Sequence, residues 1–89
     1  KLLYATPTRI FYAATLAIYV INCNDFSIEK ILTGHTQAIT DFCVPLYSSS
    51  LLISCAMDKT IRVWDIEKGI EVKCLTYEWI PLALDSQPS

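Results

Sequence analysis

The sequence predicts an all-β fold of short antiparallel strands, on three observations. Most of the chain is made of runs of five to seven residues rich in Ile, Val, Leu, Tyr, Phe and Thr, separated by turn-forming residues. Few segments carry the 3.6-residue periodicity of a helix. One stretch also resembles an earlier one: Thr60-Ile61-Arg62-Val63-Trp64 shifted back by 45 falls on Thr15-Leu16-Ala17-Ile18-Tyr19, and Lys73, Leu75 and Thr76 shifted back by 43 fall on Lys30, Leu32 and Thr33.

The first unit occupies residues 1–32. Residues 9–32 read as strands two to four of a diverged, partial sheet whose opening strand, before Arg9, is only partly present. The two shifts differ by two residues, which predicts a longer turn around Cys23-Asn24-Asp25. The same offset sets Arg9 against Ser54, Ala13 against Asp58 and Tyr19 against Trp64, so Tyr19 is expected to pack in the core where the later unit has Trp.

The second unit, residues 33–76, is complete. Thr33-Gly34-His35-Thr36-Gln37 is a polar connector, and a strand follows over about residues 38–44, anchored by Ile39, Phe42 and Val44. Pro45 to Ser50 is a loop, since Pro lacks the N–H a ladder needs and Ser48-Ser49-Ser50 is polar. Residues 51–56 form a nearly continuous apolar strand suited to burial on both faces. Asp58-Lys59 turns the chain into a strand over residues 60–66, which alternates, with Ile61, Val63 and Asp65 on one side and Arg62, Trp64 and Ile66 on the other. Glu67-Lys68-Gly69 is a hairpin turn, with Gly69 supplying positive φ, and the fourth strand covers about 70–75. In residues 77–89, Tyr77-Glu78 stands where Gly-His stood. Trp79 to Leu84 is expected to open a third unit, or the segment is a frayed tail.

Gly34-His35, followed by four strands and Trp64-Asp65, resembles one repeat of the WD-repeat β-propeller family, whose marks recur at roughly 40–45 residues with four strands per blade. The resemblance covers Leu32 to Asp65 strongly and implies a fragment of a β-propeller: one complete four-stranded antiparallel blade flanked by partial blades. It also implies that His35, Ser54, Asp58 and Trp64 share a structural hydrogen-bond network. Indole N–H only donates, hydroxyl and neutral imidazole do both, and carboxylate only accepts, so the four can form a donor–acceptor chain. Each link contributes roughly 0.5–1.5 kcal/mol net. Ser54, His35 and Asp58 are also the residue types of a serine hydrolase. Against that reading, Ser54 lies between Ile53 and Cys55 in an apolar strand, with no Gly-x-Ser-x-Gly elbow and no Gly-rich oxyanion nest.

Composition narrows the function classes. Hydrophobic residues make up 53% of the chain and charged residues 18%, which argues against disorder. The net charge is −2, and the seven basic residues form no stripe with the aromatics, so nucleic acid is not an expected partner. The four cysteines, Cys23, Cys43, Cys55 and Cys74, lack Cys-x-x-Cys spacing, and His35 is the single histidine. Reduced thiols are expected, with no disulfide framework, metal or cofactor, and a cytosolic or nuclear setting. The longest apolar run, Ile10–Ile21, has 12 residues, short of the ~20 a spanning helix needs, so no membrane partner is expected. A chain that begins at Lys1 and holds its one Met at position 57 is expected to be a piece of something longer.

The function expected from the resemblance is a non-catalytic protein-protein interaction scaffold. Its partners would be other proteins or peptides and further blades of the same parent chain. A rim of Thr36, Gln37, Met57 and Lys59 is the candidate binding surface, and Tyr47–Ser50 with Glu67–Gly69 form the opposite rim. A substrate-recruiting or regulatory subunit of an enzyme complex is the alternative. Arg62 is expected to extend to water, and Tyr4, Tyr47 and Tyr77 are loop aromatics that can anchor an interface.

Overall fold

The structure, a computed structural model, describes residues 2–45 and 50–78. Eight strands follow in order: β1 (Leu3–Ala5), β2 (Arg9–Ala14), β3 (Ala17–Asn22), β4 (Ile28–Thr33), β5 (Ile39–Cys43), β6 (Leu51–Ala56), β7 (Thr60–Asp65) and β8 (Ile70–Thr76). They form two four-stranded sheets in sequential order, β1-β2-β3-β4 and β5-β6-β7-β8, with every pairing antiparallel. The fold is all-β. Where the sequence leaves the opening strand of the first unit only partly present, the structure supplies a three-residue β1 and completes that sheet. Tyr47 and residues 79–89, with the expected third unit, lie outside the described residues.

Register corrects the sequence alignment of the two units. Val20 pairs with Lys30 as Val63 pairs with Lys73, and the ladder shifts after Val20 and after Val63 alike. A single shift of 43 therefore relates both β3–β4 and β7–β8, and the turn around Cys23-Asn24-Asp25 is not longer than its counterpart. The length difference lies one hairpin earlier, where β2 and β3 are joined by Thr15-Leu16 and β6 and β7 by Met57-Asp58-Lys59. Under this register Ile21, not Tyr19, is the counterpart of Trp64. Tyr19 does not pack in the core: the buried side chains of β3 are its neighbours Ile18 and Val20. A strand alternates faces, so the odd residue belongs to the far side.

One apolar core joins the sheets. Phe11, Ala13, Ile18, Val20 and Leu32 of the first face Ile39, Phe42, Leu52, Ala56, Trp64 and Ile66 of or beside the second. The connection is reinforced at both ends. At one end the Ile39 N–H donates to the Thr15 carbonyl at 2.7 Å. At the other, Arg9 reaches Glu29 of its own sheet at 3.1 Å and Glu67 in the β7–β8 turn at 2.9 Å. Gly69, at φ 68, suits this position in two ways. Its conformation disfavours any side chain, and a Cβ would sit 2.8 Å from Cδ of Lys30 on the first sheet.

Candidate functional site

The connector after β4 and the β6–β7 turn meet at one end of the second sheet. Asp58 lies in the turn, with Lys59 in left-handed conformation at φ 63 and its N–H on the Ala56 carbonyl at 3.2 Å. The Asp58 carboxylate then collects the backbone around it. Oδ1 accepts from the Thr60 N–H at 3.0 Å and the Thr60 hydroxyl at 2.5 Å, and Oδ2 accepts from the Thr36 N–H at 2.9 Å. An acceptor two residues before a hydroxyl is a local pattern that closes turns without help from the rest of the fold.

Behind the turn the polar side chains run inward in a line. His35 Nδ1 lies 3.0 Å from Asp58 Oδ2, His35 Nε2 lies 2.6 Å from Ser54 Oγ, and the Trp64 Nε1–H donates to Ser54 Oγ at 2.9 Å. These contacts assign the protons. Asp58 only accepts, so Nδ1 carries the imidazole proton, Nε2 accepts from the Ser54 hydroxyl, and Ser54 Oγ accepts from the indole. His35, Ser54, Thr60 and Trp64 are buried, and no buried side-chain N or O among the described residues lacks a partner.

The electrostatics follow from that arrangement. Burial depresses the His35 pKa more than the neighbouring carboxylate raises it, so the ring stays neutral. Burial by itself would raise the pKa of Asp58. The hydrogen bonds from the Thr60 hydroxyl, the Thr36 N–H and His35 outweigh it and hold the carboxyl at about 2. Burial pushes the Cys55 thiol up, which keeps it protonated and unreactive.

Two residues in this region carry more than their sequence reading assigns. Thr60 is part of the cluster: besides its bonds to Asp58, its hydroxyl lies 3.2 Å from His35 Nδ1. The Asp-x-Thr spacing is the signal that would have found it. Arg62 does not extend free to water, because its Nη1 donates to Glu71 at 2.6 Å and its Nε to Thr60 Oγ1 at 3.3 Å. Gly34 lets that layer form, since a Cβ there would lie 3.0 Å from Cη2 of Trp64, 3.1 Å from Glu71 Oε1 and 3.2 Å from Arg62 Nη1.

Thr36, Gln37, Met57 and Lys59 are all exposed at this end, and the Thr36–Asp58 bond ties the connector to the turn. Tyr4 is not in a loop: it lies in β1, half-buried, its ring centroid 6.1 Å from that of Phe11. Among the cysteines, Cys43 and Cys55 are buried, Cys23 is half-buried and Cys74 is exposed, all four as free thiols.

The order Ser54, His35, Asp58 has the connectivity of a hydrolase triad, but its oxygen is not available to a substrate. Ser54 Oγ is capped by the indole N–H on one side and held by His35 on the other, and no cavity opens among the described residues. No helix there is long and apolar enough to cross a membrane.

Comparison with known proteins gives the region its context. The family profile described as "WD domain, G-beta repeat" matches residues 26–65, a stretch from the turn before β4 to the end of β7, and so spans both sheets. The chain is similar to the tRNA (guanine-N(7)-)-methyltransferase non-catalytic subunit TRM82 of Eremothecium gossypii, 38% identical over 62% of this chain and 12% of that protein. It is likewise similar to the small ribosomal subunit protein RACK1 of Schizosaccharomyces pombe, 44% identical over 46% of this chain and 13% of that protein. The COMPASS component SWD3 of Saccharomyces cerevisiae is 38% identical over 58% of this chain and 16% of that protein. In each case the chain spans well under a fifth of the relative's length.

Proposed function

Because this chain belongs to the WD-repeat family through residues 26–65, we propose that it is a non-catalytic scaffold segment of a larger β-propeller that binds other proteins or peptides. Residues 1–32 and 33–76 act as successive blades. The observation that carries this reading is the closed state of the polar cluster: His35, Ser54, Asp58 and Trp64 spend their hydrogen-bonding capacity on one another and on the backbone, leaving none to a reaction. Their product is position. Through the Thr36–Asp58 bond they tie the connector that bears Thr36 and Gln37 to the turn that bears Met57 and Lys59, and so present a rim. The relatives support the class, since one is named a non-catalytic subunit and another a component of COMPASS.

The outward faces support the larger propeller. Leu3, Tyr12, Tyr19 and Ile31 pair in one row across the first sheet, and three of them are about half exposed or more, at 61%, 46% and 48% for Leu3, Tyr12 and Ile31. A repeat unit that presents such a face is completed by stacking on another. The setting that fits free thiols and these relatives is the cytosol or nucleus.

The test uses the full-length protein with Lys59→Glu and Gln37→Ala together. Unfolding should be unchanged, while affinity for the protein subunits that co-purify with the native chain falls at least tenfold. Unchanged affinity would move the binding surface elsewhere, and covalent labelling of Ser54 by a fluorophosphonate probe would overturn the non-catalytic reading.

A further inference from the structure

The β3–β4 and β7–β8 turns share one backbone plan on different residues. Asn22 ends β3 and Asp65 ends β7. Four residues on, Phe26 and Gly69 donate their N–H groups to the carbonyls of Asn22 and Asp65, each at 2.8 Å. The side-chain oxygens at the strand ends accept from the turn as well: Asn22 Oδ1 from the Asn24 N–H at 2.7 Å, and Asp65 Oδ1 from the Lys68 N–H at 3.0 Å. Both turns put their fifth residue in left-handed conformation, at φ 58 for Phe26 and φ 68 for Gly69.

Glycine is the natural residue for that position, and a bulky aromatic is a true outlier there. Such strain persists where surrounding structure over-determines it or where function repays it. In this molecule the ring does not repay it by burial, since Phe26 is 71% exposed, more than any other large hydrophobic residue described. The turn is nevertheless fixed: the Asn22 N–H donates to the Ser27 carbonyl at 2.8 Å, and Asp25 Oδ1 accepts from the Ser27 N–H at 3.0 Å and hydroxyl at 2.7 Å. An exposed aromatic carried on a strained, hydrogen-bonded backbone is already presented to a pocket, so that the backbone has little ordering left to lose on binding.

We infer that Phe26 anchors a second protein-binding surface, at the rim opposite Thr36, Gln37, Met57 and Lys59, and that its partner is a protein with an apolar pocket bearing a basic residue at its lip. Charge selects that partner. Asp25, adjacent and exposed, uses Oδ1 for both Ser27 bonds and leaves Oδ2 for a cation, and the Ser27 bonds lower its pKa and keep it charged. The same charge disfavours an anionic lipid surface. The surface is separate from the rim assigned above, because alternating antiparallel strands put the β3–β4 turn and the β6–β7 turn at opposite ends of the sheets.

The test places p-benzoylphenylalanine at position 26 of the full-length protein, cross-links in cells, and identifies and purifies the captured protein. That protein is then titrated against the unmodified full-length chain and its variants. Phe26→Gly should weaken binding about 30-fold or more, the loss of a hot-spot side chain, while unfolding no earlier than the parent because Gly is at ease at positive φ. Asp25→Asn should weaken it about threefold and flatten its salt dependence. Lys59→Glu should leave it unchanged, so failure here and failure of the opposite rim are read separately. Cross-linking only within the same chain, or none at all, would overturn the inference. So would a captured protein that binds Phe26→Gly as tightly, or Phe26-dependent sedimentation with phosphatidylserine vesicles. An Asp25→Asn variant of undiminished affinity would remove the basic lip.

Discussion

The two sheets carry the same transverse row in different chemistry. In the second it runs Phe42, Ser54, Arg62, Cys74, and in the first Leu3, Tyr12, Tyr19, Ile31, each residue paired with the next across the strands. Ser54 lies at the centre of a hydrogen-bonded cluster that fixes a connector to a turn, whereas Tyr12 is exposed between Leu3 and Tyr19. The first sheet is therefore held by shape, through the side chains that face the second sheet, and by Arg9 at its end. The second is held by shape and by proton-specific bonds. A polar cluster of this kind ties distant segments in one geometry, which apolar packing alone does loosely.

The largest effect expected on this comparison comes from the apolar half. Phe11→Ala empties a buried site between the sheets and should cost about 3–5 kcal/mol in denaturant unfolding of the full-length protein. Because no titrating group is involved, the loss should be the same at pH 7 and pH 5. A pH-dependent loss would mean that the first sheet leans on the polar cluster after all.

Asp58→Ala should cost less, about 1–3 kcal/mol, by stranding the donors of Thr36, His35 and Thr60. Asp58→Asn should be milder, because the amide oxygen still accepts from Thr36 and His35. Equal and negligible losses in the two melts would contradict a buried network.

Acid should separate the sheets further. His35 has a folded pKa below its ordinary 6.5, so as pH falls below that value the unfolded chain takes a proton the folded chain resists, and stability declines. Asp58 stabilises the fold fully above its unfolded value of 3.8, and the contribution, about 2 kcal/mol, is lost as pH falls toward its folded value of about 2. A melt series from pH 7 to pH 2 should show both declines. Asp58→Asn should abolish the lower one, and a lower decline that survives the substitution would assign it to other carboxylates.

The smallest effect belongs to Arg9. Its bonds to Glu29 and Glu67 are partly exposed, and Arg9→Ala should cost about 0.5 kcal/mol, less in high salt. A loss of several kcal/mol would make this ion pair, rather than the apolar core, the fastening between the sheets.

How much of this was legible in the sequence depends on alternation. The β7 strand is legible because the Asp58-Lys59 turn and the Trp64-Asp65 mark bracket it, and with Gly34-His35 they fix the second unit. Residues 10–14 and 17–21 are apolar on both faces, so nothing in their pattern says which residues point at the second sheet. That is why Tyr19 is misread as core and the register is misplaced by two residues. The three-residue β1 is too short to carry any period, and Arg62 joins the cluster through contacts that only the folded sheet creates, whereas the Asp58-x-Thr60 spacing is a local signal the sequence does carry.

If His35 is a neutral, proton-ordered link in a closed structural cluster, nitrogen-detected NMR of the full-length protein with labelled histidine will read its protons. His35 should show a protonated Nδ1 in slow exchange with water, an unprotonated Nε2, and a ring that titrates below the ordinary 6.5 of imidazole. A ring that titrates near 6.5 with fast-exchanging protons on either nitrogen would contradict it, because such a histidine would be open to solvent and the cluster would not be closed.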